Sequence, residues 1–229
     1  MALILNIETA TEVCSVALAR DGKLLSIKES AIGYTHAENI TVFIYEVVHE
    51  AGILLNDIDA VAVSKGPGSY TGLRIGVSTA KGLCFALDKP LLAVNTLLSL
   101  ANNFQITNHK LQTTKLLCPM LDARRMEVYC AAYDSALAEV LPTAAVIVDD
   151  NSFKNILSDT SVYFFGNGAA KCKSILTHPN AHFIDDVYPS ASAMIILSEK
   201  LFAENKFEDA AYFEPFYLKD FVAGKVKEI

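Results

Sequence analysis

The strongest constraint on how this chain can fold is that it runs through one order of elements twice. ALILNIE, at 2–8, reads as a buried strand, and VCSVALAR and LLSIKES read as two more, joined by an Asp21-Gly22 hairpin turn. Over 36–52 the residues Ile40, Phe43, Ile44, Val47, Val48 and Ala51 recur at helical spacing, and Gly52 ends the pattern as a C-cap glycine does. DAVAVSK is then a short buried strand, Tyr70–Leu87 a helix, PLLAV a strand, and 95–103 a short helix capped by Asn95 or Thr96. The second half repeats this more loosely. KLLCPMLDA, MEVYCAAYD and the stretch up to AAVIVDD are strand candidates, followed by a helix in NSFKNILSD, a strand in SVYFFG, and helices near 169–176 and 190–205.

Two βββαβα lobes are the plan of a duplicated α/β fold of the actin-like ATPase kind (ASKHA, ribonuclease H-like). The polar run NFQITNHKLQTTK separates a first lobe at 1–105 from a second at 106–229. Folds of this plan hold a nucleotide in the cleft between lobes. Near the end, EPFYLKD reads as extended, because Pro215 opposes a helix.

Bulk properties exclude several roles. A formal net charge of −7 disfavours autonomous binding to a phosphate backbone, so any RNA is expected to be gripped through a partner. The five cysteines, Cys14, Cys84, Cys118, Cys130 and Cys172, are scattered without C-x-x-C spacing, which suggests neither a disulfide framework nor a zinc knuckle and fits a reduced cytoplasmic chain. The opening MALILNIETATEV lacks the basic region of a signal peptide, and no stretch approaches the ~20 apolar residues of a membrane span.

SKGPGSYTGLRIGVSTAKGL, at 64–83, has the layout of a phosphate-cradling loop. It is not a Walker loop, since Gly72 is followed by Leu73 and Arg74 where lysine and a hydroxyl residue are required. Gly66, Gly68 and Gly72 give G-x-G-x-x-x-G, one residue too long for a dinucleotide fingerprint. Glycines with Ser69 before a helix suit either an anion at the helix N-terminus or a tight turn with close packing, and both readings stay open.

The helix that follows is apolar nearly all round. Leu73, Ile75, Val77, Ala80, Leu83, Cys84, Phe85 and Leu87 are interrupted mainly by Arg74 and Lys81, so it is expected to be buried on more than one side. Gly72, Gly76 and Ala80 at four-residue spacing would admit a second helix closely. A helix central to its own domain explains the pattern as well as a partner interface does. The interface expected here comprises Ile40, Val42, Phe43, Tyr45, Leu73, Gly76, Val77, Ala80 and Cys84, and predicts a homodimer in isolation. On that reading Val77→Glu weakens association without unfolding the lobe.

The loop, the opening NIETATEVCSVAL, DARRMEVY at 122–129 and the closing FYLKD together resemble the bacterial TsaB (YeaZ) family, over nearly the whole chain. The resemblance implies an actin-like fold without catalytic activity of its own, the obligatory partner of a catalytic paralogue, TsaD. TsaD transfers a threonylcarbamoyl group to N6 of adenosine 37 in tRNAs reading ANN codons, and an ATPase, TsaE, completes the complex. ATP and Mg are then used through the partners and no cofactor is firmly held by this chain. The first two helices are implied to pair with TsaD or with a second copy.

The resemblance also says why this chain should not catalyse the transfer. TsaD carries a metal-binding His-x-x-x-His pair just after the shared loop, and the matching stretch VNTLLSLA offers Thr96 and Leu100 instead. The H-x-x-x-H present here, His178 and His182, contains Pro179, and no metal site is expected. Glu8 and Thr9 stand where actin-like ATPases place a magnesium-holding aspartate, and Asp122, Arg124 and Arg125 stand at the corresponding place in the second lobe. With Gly66, Gly68 and Ser69 they form a vestigial nucleotide or anion site. Arg124 and Arg125 suit phosphate, a carboxylate such as Glu127, or a partner. Two other classes remain as alternatives: an active ATP-dependent phosphotransferase, needing magnesium-dependent binding lost in Glu8→Ala, and a metallo-glycoprotease, needing stoichiometric zinc.

Overall fold

The computed structural model describes residues 2–31, 35–107 and 115–219. Each lobe is built on a five-stranded sheet. The first contains β1 (Leu3–Glu8), β2 (Cys14–Arg20), β3 (Lys23–Ser30), β4 (Ala60–Gly66) and β5 (Leu91–Asn95) in the order β3-β2-β1-β4-β5. The second contains β6 (Lys115–Asp122), β7 (Glu127–Tyr133), β8 (Glu139–Ile147), β9 (Ser161–Phe165) and β10 (Ala181–Ile184) in the order β10-β9-β6-β7-β8. Read from the other edge, this is the same sequence of strands. In both, an antiparallel meander is extended by two parallel strands. The duplicated α/β fold expected from the repeat is present.

β1 is buried at every position, because helices cover both faces of its sheet. Leu3, Leu5 and Ile7 join Ile40, Ile44, Val47 and Val48 of α1 (His36–Glu50) and Val77, Ala80 and Cys84 of α2 (Tyr70–Leu87). Ala2 and Ile4 point the other way. They meet Met194 and, from α5 (Ile195–Ala203), Leu197 and Leu201. The helix read at 95–103 runs further, as α3 (Thr96–Thr107). Its cap is Asn95, whose Oδ1 accepts from Leu97 N at 2.8 Å and Leu98 N at 3.1 Å.

The second lobe is thinner than its sequence suggests. The helix in NSFKNILSD is the single turn α4 (Lys154–Leu157), and 169–176 contains a 3-10 turn at Ala170–Cys172. The helix expected at 190–205 is a 3-10 turn, Ala191–Met194, followed by α5. β10 falls in a stretch read as loop around His178 and His182. The lobes also exchange helices. α3, from the first half, packs Leu97, Leu100 and Phe104 on Leu117, Leu121 and Phe165 of the second sheet, whereas α5 packs on the first. Residues 208–216 return along the first lobe as well, so within the described part of 106–229 both α5 and this segment pack on the first lobe. Pro215 lies outside any helix, as expected, but the run is not simply extended, since Tyr217 N donates to Pro215 O at 3.0 Å in a tight turn.

Candidate functional site

The glycine loop leaves β4 at Gly66, whose φ of 110° favours glycine, and Gly66 N donates to Thr96 Oγ1 at 3.1 Å. Ser69 caps α2, its Oγ accepting from Gly72 N at 3.3 Å. A Cβ at Gly68 would collide with Ala10 O, one at Gly72 with Thr9 O, and one at Gly76 with Thr9 Oγ1. Ser69 N donates to Ala10 O at 2.7 Å, and Thr9 Oγ1 donates to Gly72 O at 2.8 Å. The glycines therefore seat the corner between β1 and β2 against the start of α2. A protein carbonyl accepts from the amide that an anion would use. Of the two readings left open by sequence, the structure shows close packing.

Glu8 is fully buried in the same corner. Its Oε1 accepts from Ala10 N at 2.6 Å and from Ser64 Oγ at 2.9 Å, while Oε2 has no partner among the described residues. Burial, only partly offset by these hydrogen bonds, pushes its pKa up to about 7. The carboxyl staples the corner to β4. Both oxygens lie inside the protein, one already shared by two donors, so these residues do not fit the hydrated magnesium that the actin-like plan implies here. Among the described residues no group of three His, Cys, Asp or Glu side chains could hold a metal.

Across the cleft, Asp122 is exposed at the end of β6. It pairs with Lys171, and its backbone N donates to Asn167 Oδ1 at 3.0 Å. Asn167 Nδ2 in turn donates to Glu12 Oε2 at 3.0 Å, so one asparagine ties Asp122 to the first lobe's corner. Arg124 and Arg125, at φ 68° and 49°, are the exposed turn between β6 and β7. Lys171 Nζ holds that turn from within by donating to Arg125 O at 2.8 Å and Glu127 O at 2.6 Å. Glu127, the carboxylate considered for the arginines, pairs with Lys219. A signal for this lobe lies in FGNG: Gly166 and Gly168 repeat Gly66 and Gly68. Gly166 has φ 96°, Gly168 packs on Leu121, and Gly168 N donates to Met120 O at 3.0 Å.

Thr96 and Leu100, which the resemblance sets against a His-x-x-x-His pair, are both used in packing. Thr96 is buried with its hydroxyl on Gly66 N, and Leu100 is buried between the sheets. His178 Nδ1 accepts from Asn180 N at 3.2 Å, whereas the His182 ring stacks on Tyr163 at 5.0 Å, so the two are engaged separately.

The expected interface needs correction. Ile40, Leu73, Gly76, Val77, Ala80 and Cys84 are buried inside the first lobe, and Gly76 seats Thr9 instead of a second helix. Val42 and Tyr45 are exposed and Phe43 is half-buried. The outward face of α1 and α2 carries other residues too. Tyr45 is 68% exposed, Leu54 72% and Phe85 91%. Between the helices lies an apolar groove of about 480 Å³, lined in part by Ile44, Tyr45, Val48, Ile53, Leu54 and Leu83. The all-round apolar pattern of α2 thus combines a core side with a surface side, and Phe85 and Leu83 belong to the latter.

The TsaD family profile, described as tRNA N6-adenosine threonylcarbamoyltransferase, matches residues 31–225. The Escherichia coli tRNA threonylcarbamoyladenosine biosynthesis protein TsaB is 31% identical over 228 residues, 97% of this chain and 96% of that one. A Pseudomonas aeruginosa structure described as similar to peptidase YEAZ superposes with a TM-score of 0.83 at 28% identity, covering 96% of this chain and 100% of that one. The tRNA N6-adenosine threonylcarbamoyltransferase of Staphylococcus haemolyticus is 40% identical over 109 residues, 41% of this chain and 32% of that enzyme. Likeness to TsaB runs from end to end at 31% identity, and this chain belongs to the TsaB (YeaZ) family.

Proposed function

We propose that this chain is a non-catalytic subunit in the threonylcarbamoylation of adenosine 37 of tRNA, docking a TsaD-like transferase through the outward face of α1 and α2. The observation that carries this reading is that face. Tyr45 and Leu54 stand exposed along an apolar groove that Ile44, Val48, Ile53 and Leu83 also line, Val42 and Phe85 are exposed on the same two helices outside it, and exposed apolar surface of this kind marks interaction sites. The same face serves a second copy when the transferase is absent, giving a homodimer in isolation. A net charge of −7 suits a chain that meets tRNA only within the complex. The filled glycine loop and buried Glu8 suit one that leaves ATP and magnesium to its partners, including a TsaE-like ATPase. A cytoplasmic setting suits five free, buried cysteines.

The test is tRNA modification reconstituted from purified transferase, ATPase and this chain. Omission of the chain is expected to abolish product, and the chain alone is expected to make none. Full product without it, or product from it alone, contradicts the proposal.

A further inference from the structure

Beyond α5 the chain turns back and crosses the first lobe at several anchor points. Glu208 N donates to Leu91 O at 2.9 Å, an isolated antiparallel bridge on edge strand β5. Lys81 of α2 donates through Nζ to Ala211 O at 3.1 Å and Phe213 O at 2.9 Å. Phe216 N donates to Lys65 O at 2.7 Å, and a Cβ at Gly66 would come within 2.8 Å of Phe216 O. The Tyr217 ring lies 5.0 Å from that of Tyr70, over which the Arg74 guanidinium sits at 4.6 Å. The Arg74 guanidinium also acts electrostatically on the Tyr217 hydroxyl. The segment then reaches the second lobe, where Lys219 pairs with Glu127 on β7.

Three of these anchors, Tyr70, Arg74 and Lys81, are on α2, the helix that also carries Thr79 and Leu83 into the apolar groove. We propose that residues 208–219 act as a brace that couples the second lobe to α2, so that the partner-facing helix is held by a strap whose far end is fixed on the other lobe. A segment of turns and irregular backbone held by a few bonds near solvent belongs to the parts of a fold that open locally at low free energy. Opening it removes the acceptors of Lys81 and the Arg74 partner together, which leaves α2 tied to the sheet but no longer to β7. The brace is read without reference to any partner. Only its consequence for docking rests on the function proposed above.

Glu127 gives a clean test, because the strap links it to α2. In full-length protein, Glu127→Lys is expected to speed amide hydrogen exchange at Phe216, and also at Leu73 in the first turn of α2, by about fivefold, the upper end for a surface ion pair. The double variant Glu127→Lys with Lys219→Glu is expected to restore both rates. Acceleration confined to the surroundings of residue 127, or no restoration in the double variant, overturns the brace. Exchange reads this whether or not the wild-type chain associates, and a wild-type chain that binds neither transferase nor itself would overturn the docking role alone.

Discussion

The two lobes share a strand order and differ in what is laid on it. The first sheet is covered by α1 and α2, of 15 and 18 residues; the second has on its equivalent face a four-residue α4 and a short 3-10 turn. Both lobes end a parallel strand with a Gly-x-Gly turn packed on a backbone neighbour, Gly68 against Ala10 and Gly168 against Leu121. The turn is thus part of the sheet's construction in either half, and nucleotide chemistry is not needed to explain it. What distinguishes the first lobe is surface: among the described residues, only there do two long helices lie side by side with aromatic and aliphatic residues facing outward.

The sharpest way to break this contrast is on α2 itself. Val77 is buried among β1 and α1 residues, so Val77→Glu is expected to remove the circular dichroism signal of the folded protein, the penalty for an unpaired buried charge being about 3–5 kcal/mol. Retention of fold with weakened association would return Val77 to the interface. Gly72→Val is expected to cost about 3 kcal/mol or more in denaturant unfolding, because the new side chain meets the Thr9 carbonyl. Gly82→Ala, on the exposed side of the same helix with open space around it, should add about 0.5–1 kcal/mol.

Glu8 sharpens the comparison through pH. Its pKa rises from 4.5 unfolded to about 7 folded, so the native state holds the proton more tightly. The stabilisation is complete below pH 4.5 and falls away as pH rises through about 7, by about 3 kcal/mol in all. Glu8→Gln is expected to flatten that slope in unfolding titrations between pH 4.5 and 8, and an unchanged slope would place the titrating group elsewhere. The smallest effect on stability belongs to Phe85→Glu. Its exposed ring contributes little to the fold, so unfolding should shift by no more than about 0.5 kcal/mol while association weakens.

Much of the first lobe was legible in sequence because strong local signals agree there: the Asp21-Gly22 turn, the helical stripe of α1, and glycine and serine before α2. The second lobe was less so. NSFKNILSD has helix-forming residues, yet α4 lasts one turn, and α3 from the other half covers the opposite face of that sheet, which no local pattern announces. At the site, Glu8 and the loop were found by motif, but their closure on Thr9 and Ala10 depends on contacts far apart in sequence. Of the residues expected at an interface, those on α2 turn inward to the lobe's own core, while Val42 and Tyr45 of α1 are exposed. A stripe of glycine and alanine looks the same whether it seats a second helix or the lobe's own corner.

The most direct measurement is the rate of tRNA threonylcarbamoylation in the reconstituted system with Phe85→Glu and with Glu8→Gln in place of the wild-type chain. Docking through the outward face of α1 and α2 predicts that Phe85→Glu lowers product formation at limiting protein concentration, while Glu8→Gln supports the wild-type rate. Full activity from Phe85→Glu together with loss of activity in Glu8→Gln would contradict it, and would put the chemistry back in the cleft.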